Sequence, residues 1–167
     1  LYLSPMEIGL GKRESVADVA RVLSGYVDII MARVFKHQHV VELAKHASIP
    51  VINGLSDFNH PCQALTDALT ILEYKEKVEG LNVVFVGDGN NMANSVMLIA
   101  AKLGANFTIA NPDGYDLAPE GIEIGKQIAA ESGGELNFLR DPVEAVKNAD
   151  VIYTDTWTSM GQEEERA

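Results

Sequence analysis

Val83-Val-Phe-Val-Gly87-Asp-Gly89-Asn-Asn91 is a short apolar, β-branched run that stops abruptly in a polar, glycine-broken turn. Its composition predicts a strand over 82–86, and the residues beyond the turn predict a helix over 91–103. An open α/β sheet presents polar groups in this way, at the carboxyl ends of its strands. Two other segments repeat the arrangement. Upstream, Ile29-Ile-Met-Ala-Arg33-Val-Phe closes an apolar run on a guanidinium. Downstream, Asp150-Val-Ile-Tyr-Thr-Asp155-Thr-Trp-Thr-Ser159-Met160-Gly161 passes from a strand into a carboxylate, then a hydroxyl and a glycine. A domain rarely ends on its own ligand loop, so the chain reads as a piece of something longer.

Outward from the quoted turn, helix and strand patterns alternate. Ser15-Val-Ala-Asp18 resembles a capping box with Asp in place of Glu, and Val16, Val19, Ala20, Leu23 and Tyr26 follow at helical spacing. Residues 27–32 form an apolar run, 38–47 a helix, and Pro50-Val-Ile-Asn a short strand closed by Gly54. Pro61 suits a first helical turn, which Ala64, Leu65, Ala68, Leu69 and Leu72 continue. Strand 106–110, helix 119–132, strand 135–139, helix 142–149 and strand 150–154 complete the pattern. Asp141-Pro142 supplies a cap and an N1 proline. Short strands joined by crossover helices imply parallel sheets covered on both faces. The charged stretch Glu73-Tyr-Lys-Glu-Lys-Val-Glu-Gly80 is the one clear shift in composition. It places a domain boundary between residues 1–77 and 78–167. Two such domains in tandem imply a ligand site in the cleft between them.

Composition narrows the function classes. The 167 residues are 47% hydrophobic and 22% charged, ordinary for a globular protein with a real core. No apolar stretch approaches the ~20 residues of a membrane span, and the cytoplasm is the expected compartment. A net charge of −11 argues against nucleic acid, whose phosphates demand clustered cations. The single Cys62 excludes an intrachain disulfide. His37, His39, His46 and His60 show no zinc-site spacing, so no metal is expected.

Several residues can carry chemistry, each with a plainer reading beside it. Gly87-Asp-Gly89-Asn-Asn91-Met92 begins a dinucleotide fingerprint, but Met92 replaces the third glycine and no acidic residue closes the next strand. The glycines serve a tight turn equally well. Asn91 is either a helix cap or an amide offered to a ligand. His60, just before the Pro61 helix, lies at its positive end, where a neutral, hydrogen-bonding ring is favoured. Gln63 shares its face. Together they suit a carbonyl oxygen and an amino group, or simply a capping histidine and a surface glutamine. Arg33 at the rim of a strand needs an anion, either Asp57, Asp67 or a substrate. Asp155 suits a cationic amine. Glu163, Glu164 and Glu165 read as a solvated face.

Taken together, Met31-Ala-Arg-Val-Phe35, Asn53-Gly-Leu-Ser-Asp-Phe-Asn-His-Pro-Cys-Gln63, Val86-Gly-Asp-Gly-Asn-Asn91 and Asp155-Thr-Trp-Thr-Ser-Met-Gly-Gln162 resemble the ornithine carbamoyltransferases, in order and over essentially the whole chain. The His-Pro-x-Gln block alone would fit the wider transcarbamoylases, including the aspartate enzymes. The Asp-x-x-x-Ser-Met-Gly block points to ornithine. The resemblance implies an α/β fold of two tandem parallel-sheet (Rossmann-like) domains, each incomplete here, with the active site in the cleft between them. It implies that Arg33, His60 and Gln63 bind carbamoyl phosphate, with Arg33 and His60 on its carbonyl oxygen. Asn91, Asp155, Ser159 and Met160 would bind L-ornithine, Met160 through its backbone. No metal or organic cofactor is implied, and the family resembles homotrimers. Members also carry a Ser-Thr-Arg-Thr turn and a His-Cys-Leu-Pro loop that this stretch lacks, so the 167 residues alone are expected to be inactive. Many members place Gln or His where this chain has Gly9. A transcarbamoylase for another amine and a non-catalytic amino-acid-binding paralogue remain as alternatives.

Overall fold

The computed structural model describes residues 1–156, which form two compact units, Leu1–Phe58 and Asn59 onward. In the first, helix α1 (Pro5–Ile8) and helix α2 (Val16–Leu23) precede strand β1 (Ile30–Arg33), helix α3 (His37–His46) and strand β2 (Val51–Leu55). The second holds α4 (Pro61–Lys75), β3 (Asn82–Val86), α5 (Asn91–Lys102), β4 (Asn106–Ala110), α6 (Pro119–Ser132), β5 (Leu136–Leu139), α7 (Pro142–Ala145) and β6 (Val151–Tyr153). Both sheets are parallel throughout, so the α/β reading holds in each unit.

In the first unit β1 and β2 form a two-stranded sheet, with Ile30 opposite Val51 and Arg33 opposite Leu55 across a register shift after Ala32. Ile30 and Ala32 point to the buried side, where Val16, Val19 and Ala20 of α2 and Val40 and Leu43 of α3 complete the core. Their neighbours Met31 and Arg33 are exposed, as the two-residue period of a strand requires. Helix α1 was not expected from the apolar pattern. Its signal is a full capping box between Ser4 and Glu7, with Pro5 in the first turn. Helix α2 ends at Leu23, leaving Tyr26 outside it and exposed.

In the second unit the strand order is β5-β4-β3-β6. The chain steps outward from β3 through β4 to β5, then returns to the other side of β3 with β6. Val83 and Phe85 face one side of the sheet and pack with Phe107 and Ile109 against Met92, Val96 and Met97 of α5. Val84 and Ala110 face the other, under Ala145 of α7. Helices thus cover both faces, as the parallel sheet requires. Helix α7 is shorter than its sequence pattern, because Asn148 adopts φ 66° and turns the chain towards β6. Helix α4 packs on α5 through its buried Ala64 and Ala68, so it belongs with the second unit although the charged stretch follows it. Among the described residues no helix is long and apolar enough to cross a membrane.

Candidate active site

The order in which the strands are connected reverses between β3 and β6, the position where open α/β sheets form a ligand crevice beyond the strand ends. A cleft of about 380 Å³ opens there, lined by Val86, Asp88, Asn111, Arg140, Asp155 and Thr156 among others. The turn that follows β3 shapes one wall. Gly87 takes φ 146°, and the Gly89 N–H donates to the Tyr115 carbonyl at 2.8 Å. A Cβ on Gly89 would stand 2.2 Å from the Leu117 nitrogen and 2.4 Å from the Asp116 carbonyl carbon. The space that a dinucleotide-binding turn keeps for pyrophosphate is filled here by the chain's own 115–117 backbone. The glycine pair therefore serves loop packing, and the nicotinamide reading falls.

That covering loop is itself clamped. The Arg140 guanidinium donates to Asp116 at 2.7 Å and to the Asn111 carbonyl at 3.2 Å, and pairs with Asp113 at 3.0 Å. The buried Asn111 amide donates to Asp116 as well, at 2.9 Å. The Arg140 hydrogen bond, then that of Asn111, lowers the Asp116 carboxyl below its ordinary range.

Asn90, not Asn91, caps α5. Its Oδ1 accepts from the N–H groups of Met92 at 2.9 Å and Ala93 at 3.0 Å. Its Nδ2 donates to Asp155 Oδ2 at 3.1 Å, across 65 residues of chain. Asn91 is the first helical residue, and its carbonyl accepts from the Ser95 hydroxyl at 2.6 Å. Ser95 Oγ in turn accepts the His60 N–H at 2.7 Å. One helix terminus thus gathers three of the residues singled out in the sequence: His60 through Ser95, Asn91 by position, and Asp155 through Asn90.

His60 occupies the N-cap position of α4 at φ −131°, ψ 71°, with no side-chain hydrogen bond to the helix's free N–H groups. The capping role considered for its imidazole is therefore not the one it fills. Gln63, a turn along, is exposed and donates through Nε2 to Asp67 Oδ1 at 2.9 Å. The Tyr153 hydroxyl faces the same Asp67 carboxylate. Burial first, then the charge and hydrogen bond of Asp67 and the charge of Asp155, push Tyr153 above its ordinary pKa. Its ring stacks on Phe85, with centroids 5.4 Å apart.

In the first unit Arg33 ends β1 with an exposed side chain. Among the described residues it forms no ion pair. Asp57, one partner considered for it, instead accepts the His37 N–H at 2.8 Å. The His37 ring meets the fully buried Ser56 hydroxyl at 2.9 Å and packs on Phe58. This polar cluster was not legible beforehand, since His37 lies 19 or more residues from its partners. Gly9 ends α1 in the left-handed region at φ 53°, where a Cβ would also crowd Arg13. Ser159 and Met160 lie outside the described residues. Among the described residues no three metal-ligating side chains gather.

A doubly wound α/β unit with convergent polar side chains at its switch point defines an α/β ligand-binding protein. Comparison narrows the class. Residues 79–167 match the family model described as aspartate/ornithine carbamoyltransferase, Asp/Orn binding domain. Residues 1–73 match its carbamoyl-P binding domain. An ornithine carbamoyltransferase of Thermococcus kodakarensis is 61% identical over 165 residues, covering 99% of this chain and 52% of the relative. That of Bacillus subtilis is 56% identical over the same length, again covering 99% and 52%. The solved ornithine carbamoyltransferase of Pyrococcus furiosus superposes with a TM-score of 0.93 at 57% identity, covering 99% of this chain and 53% of that one. The chain belongs to the aspartate/ornithine carbamoyltransferase family. It spans about half the length of the curated relatives it matches.

Proposed function

We propose that this chain supplies the central part of an enzyme that transfers the carbamoyl group of carbamoyl phosphate to the δ-amine of L-ornithine, giving L-citrulline and phosphate. The observation that carries the reading is the gathering of His60, Asn91 and Asp155 around the first turn of α5. The identities of 56–61% to proteins named ornithine carbamoyltransferase support ornithine as the acceptor. In this reading the neutral δ-nitrogen attacks the carbamoyl carbon. A C–N bond forms, the bond from carbon to the phosphate oxygen breaks, and the proton lost by the amine is taken up by the departing phosphate.

Negative charge builds on the carbonyl oxygen during the attack. Arg33 and a neutral His60 donate to it, and donors aimed at such an oxygen contribute ~10²–10³ in rate each. The start of α4 favours that neutral state, since the positive end of a helix opposes an imidazolium. Gln63 takes the carbamoyl group. Asn91, Asp155, Ser159 and the Met160 backbone hold ornithine, with Asp155 on its α-ammonium. By function the carbamoyl-phosphate domain would comprise residues 1–77, with α4 as a connecting helix that packs on the second compact unit, and the ornithine domain 78–167. The break between the two family models, at 73 and 79, supports that division. A homotrimer in the cytoplasm goes with the reading, and the charge of −11 speaks against a nucleic-acid partner.

The test is a citrulline-forming assay on a protein of the relatives' length in which this sequence replaces the matched 165 residues of the Thermococcus relative. Turnover with ornithine and carbamoyl phosphate, and its absence with putrescine or N-acetylornithine, is the expected result. Product from those amines, or none from ornithine, would overturn the assignment. The 167 residues alone are expected to give no appreciable turnover.

A further inference from the structure

Asp, Asn and Ser cap helices about equally well, so the choice among them at an N-cap is ordinarily free. At the start of α5 it is not. The Asn90 side chain faces two donors on one side, the Met92 and Ala93 N–H groups, and an acceptor on the other, Asp155 Oδ2. Only an amide satisfies both at once. Its carbonyl must turn to the helix, which fixes the orientation of the group and leaves the NH₂ for the carboxylate. A serine would cap the helix and fall short of Asp155. An aspartate would cap it and set a second carboxylate about 3 Å from the first.

Asn90 thus holds one oxygen of Asp155 to a helix end that is rigid on its own account. The first turns of α5 are buried on Met92, Ala93, Val96 and Met97, so the anchor does not move with the loop that carries Asp155. Without the anchor, Asp155 would stand two residues beyond a three-residue strand, free to rotate about its side-chain bonds. A carboxylate with one oxygen engaged offers the other in a set direction, which a cation can exploit and a mobile carboxylate cannot.

We infer that Asn90 is a positioning residue: it aims the free oxygen of Asp155 at the α-ammonium of the amino-acid substrate and so sets affinity for that substrate alone. The inference rests on the function proposed above. It is tested in the full-length protein with Asn90→Ser and Asn90→Asp, both of which keep the capping oxygen. The expected result is a midpoint of thermal unfolding close to that of the unsubstituted protein, with ornithine KM raised about tenfold in the serine variant. The aspartate variant should be worse, because two like charges then compete at the site. The KM for carbamoyl phosphate should stay unchanged in both. A serine variant with unaltered ornithine KM, or with both KM values raised equally, would overturn the inference while leaving an active parent enzyme and its function intact. A parent protein that forms no citrulline would overturn the functional reading and carry this inference down with it.

Discussion

Substituting Gly89 by alanine tests the architecture of the site more severely than removing any ligand residue. The added Cβ would stand 2.2 Å from the Leu117 nitrogen, 2.4 Å from the Asp116 carbonyl carbon and 2.8 Å from its oxygen. All three are backbone atoms, so no rotamer change relieves them. Restoring ordinary 3.4 Å contact moves either the 115–117 backbone or the turn after β3 by more than an ångström. The hydrogen bond from Gly89 N–H to the Tyr115 carbonyl is then lost. Forcing one extra carbon into a packed site costs ~1–3 kcal/mol, and the lost bond adds ~0.5–1.5 kcal/mol. The total is held near ~2–4 kcal/mol, because beyond that the loop lets go and the clash disappears. For a protein about twice this length, as the relatives are, that lowers the melting temperature by roughly 3–6 °C. Differential scanning calorimetry of the full-length protein, with and without Gly89→Ala, reads it directly. Gly89 also precedes the residue that holds Asp155, so ornithine KM should rise in the same variant. A melting temperature within about 1 °C of the parent, equivalent to ~0.7 kcal/mol or less, would refute the close approach of these two loops.

His60→Ala should lower kcat by ~10²–10³ with little change in ornithine KM, by steady-state citrulline assay, since it removes a donor to the developing oxyanion; an unchanged kcat refutes its role. Ser95→Ala leaves the His60 N–H and the Asn91 carbonyl without this partner, and should cost ~1–3 kcal/mol in urea unfolding because the site is buried. Tyr153 has its pKa raised above the ordinary 10.0 by burial and by Asp67 and Asp155, so folding favours the protonated phenol. Stability from this source is complete below pH 10 and drains away as pH climbs past it. Tyr153→Phe should flatten the alkaline limb of a stability-versus-pH curve, and an unchanged slope above pH 10 would count against the buried phenol.

Much of the fold was legible because its punctuation is strong. Strands 82–86 and 106–110 and helix 119–132 match their sequence reading to the residue, the strands as apolar runs closed by glycine or asparagine and the helix by its first-turn Pro119 and terminal Gly133. Helix 142–149 was overread because its apolar residues continue past Ala145, while the turn at Asn148 depends on a left-handed backbone that periodicity does not register. In the site, His60, Asn91 and Asp155 stood out by position, at strand ends and helix starts. Their connectors did not. Ser95 looks like any polar residue inside an apolar helix, and Asn90 and Asn91 are interchangeable in a sequence until the cap shows which one faces the N–H groups. Asp67 and Tyr153 are 86 residues apart, and only the return of β6 beside β3 lets their interaction form.

Those connectors explain why the Ser95 hydroxyl is tolerated in the most buried part of the second unit. Asn94 and Ser95 lie in α5 at 3% and 4% exposure, amid Met92, Ala93, Val96 and Met97. A buried hydroxyl persists only where it is hydrogen-bonded, and Ser95 is bonded on both sides to segments that carry site residues. The same helix therefore anchors the core on its apolar face and fixes the approach of His60 and Asp155 at its N-terminus. Tyr153 adds a second tie, stacked on Phe85 of β3 while facing Asp67, whose other contact is Gln63. Any movement of α4 must then disturb either the Ser95 bond or the Asp67 contact. This couples stability to the geometry of the candidate site around α5: a substitution that loosens the helix terminus displaces the histidine and the carboxylate together. A site carried on independent loops would lose them one at a time.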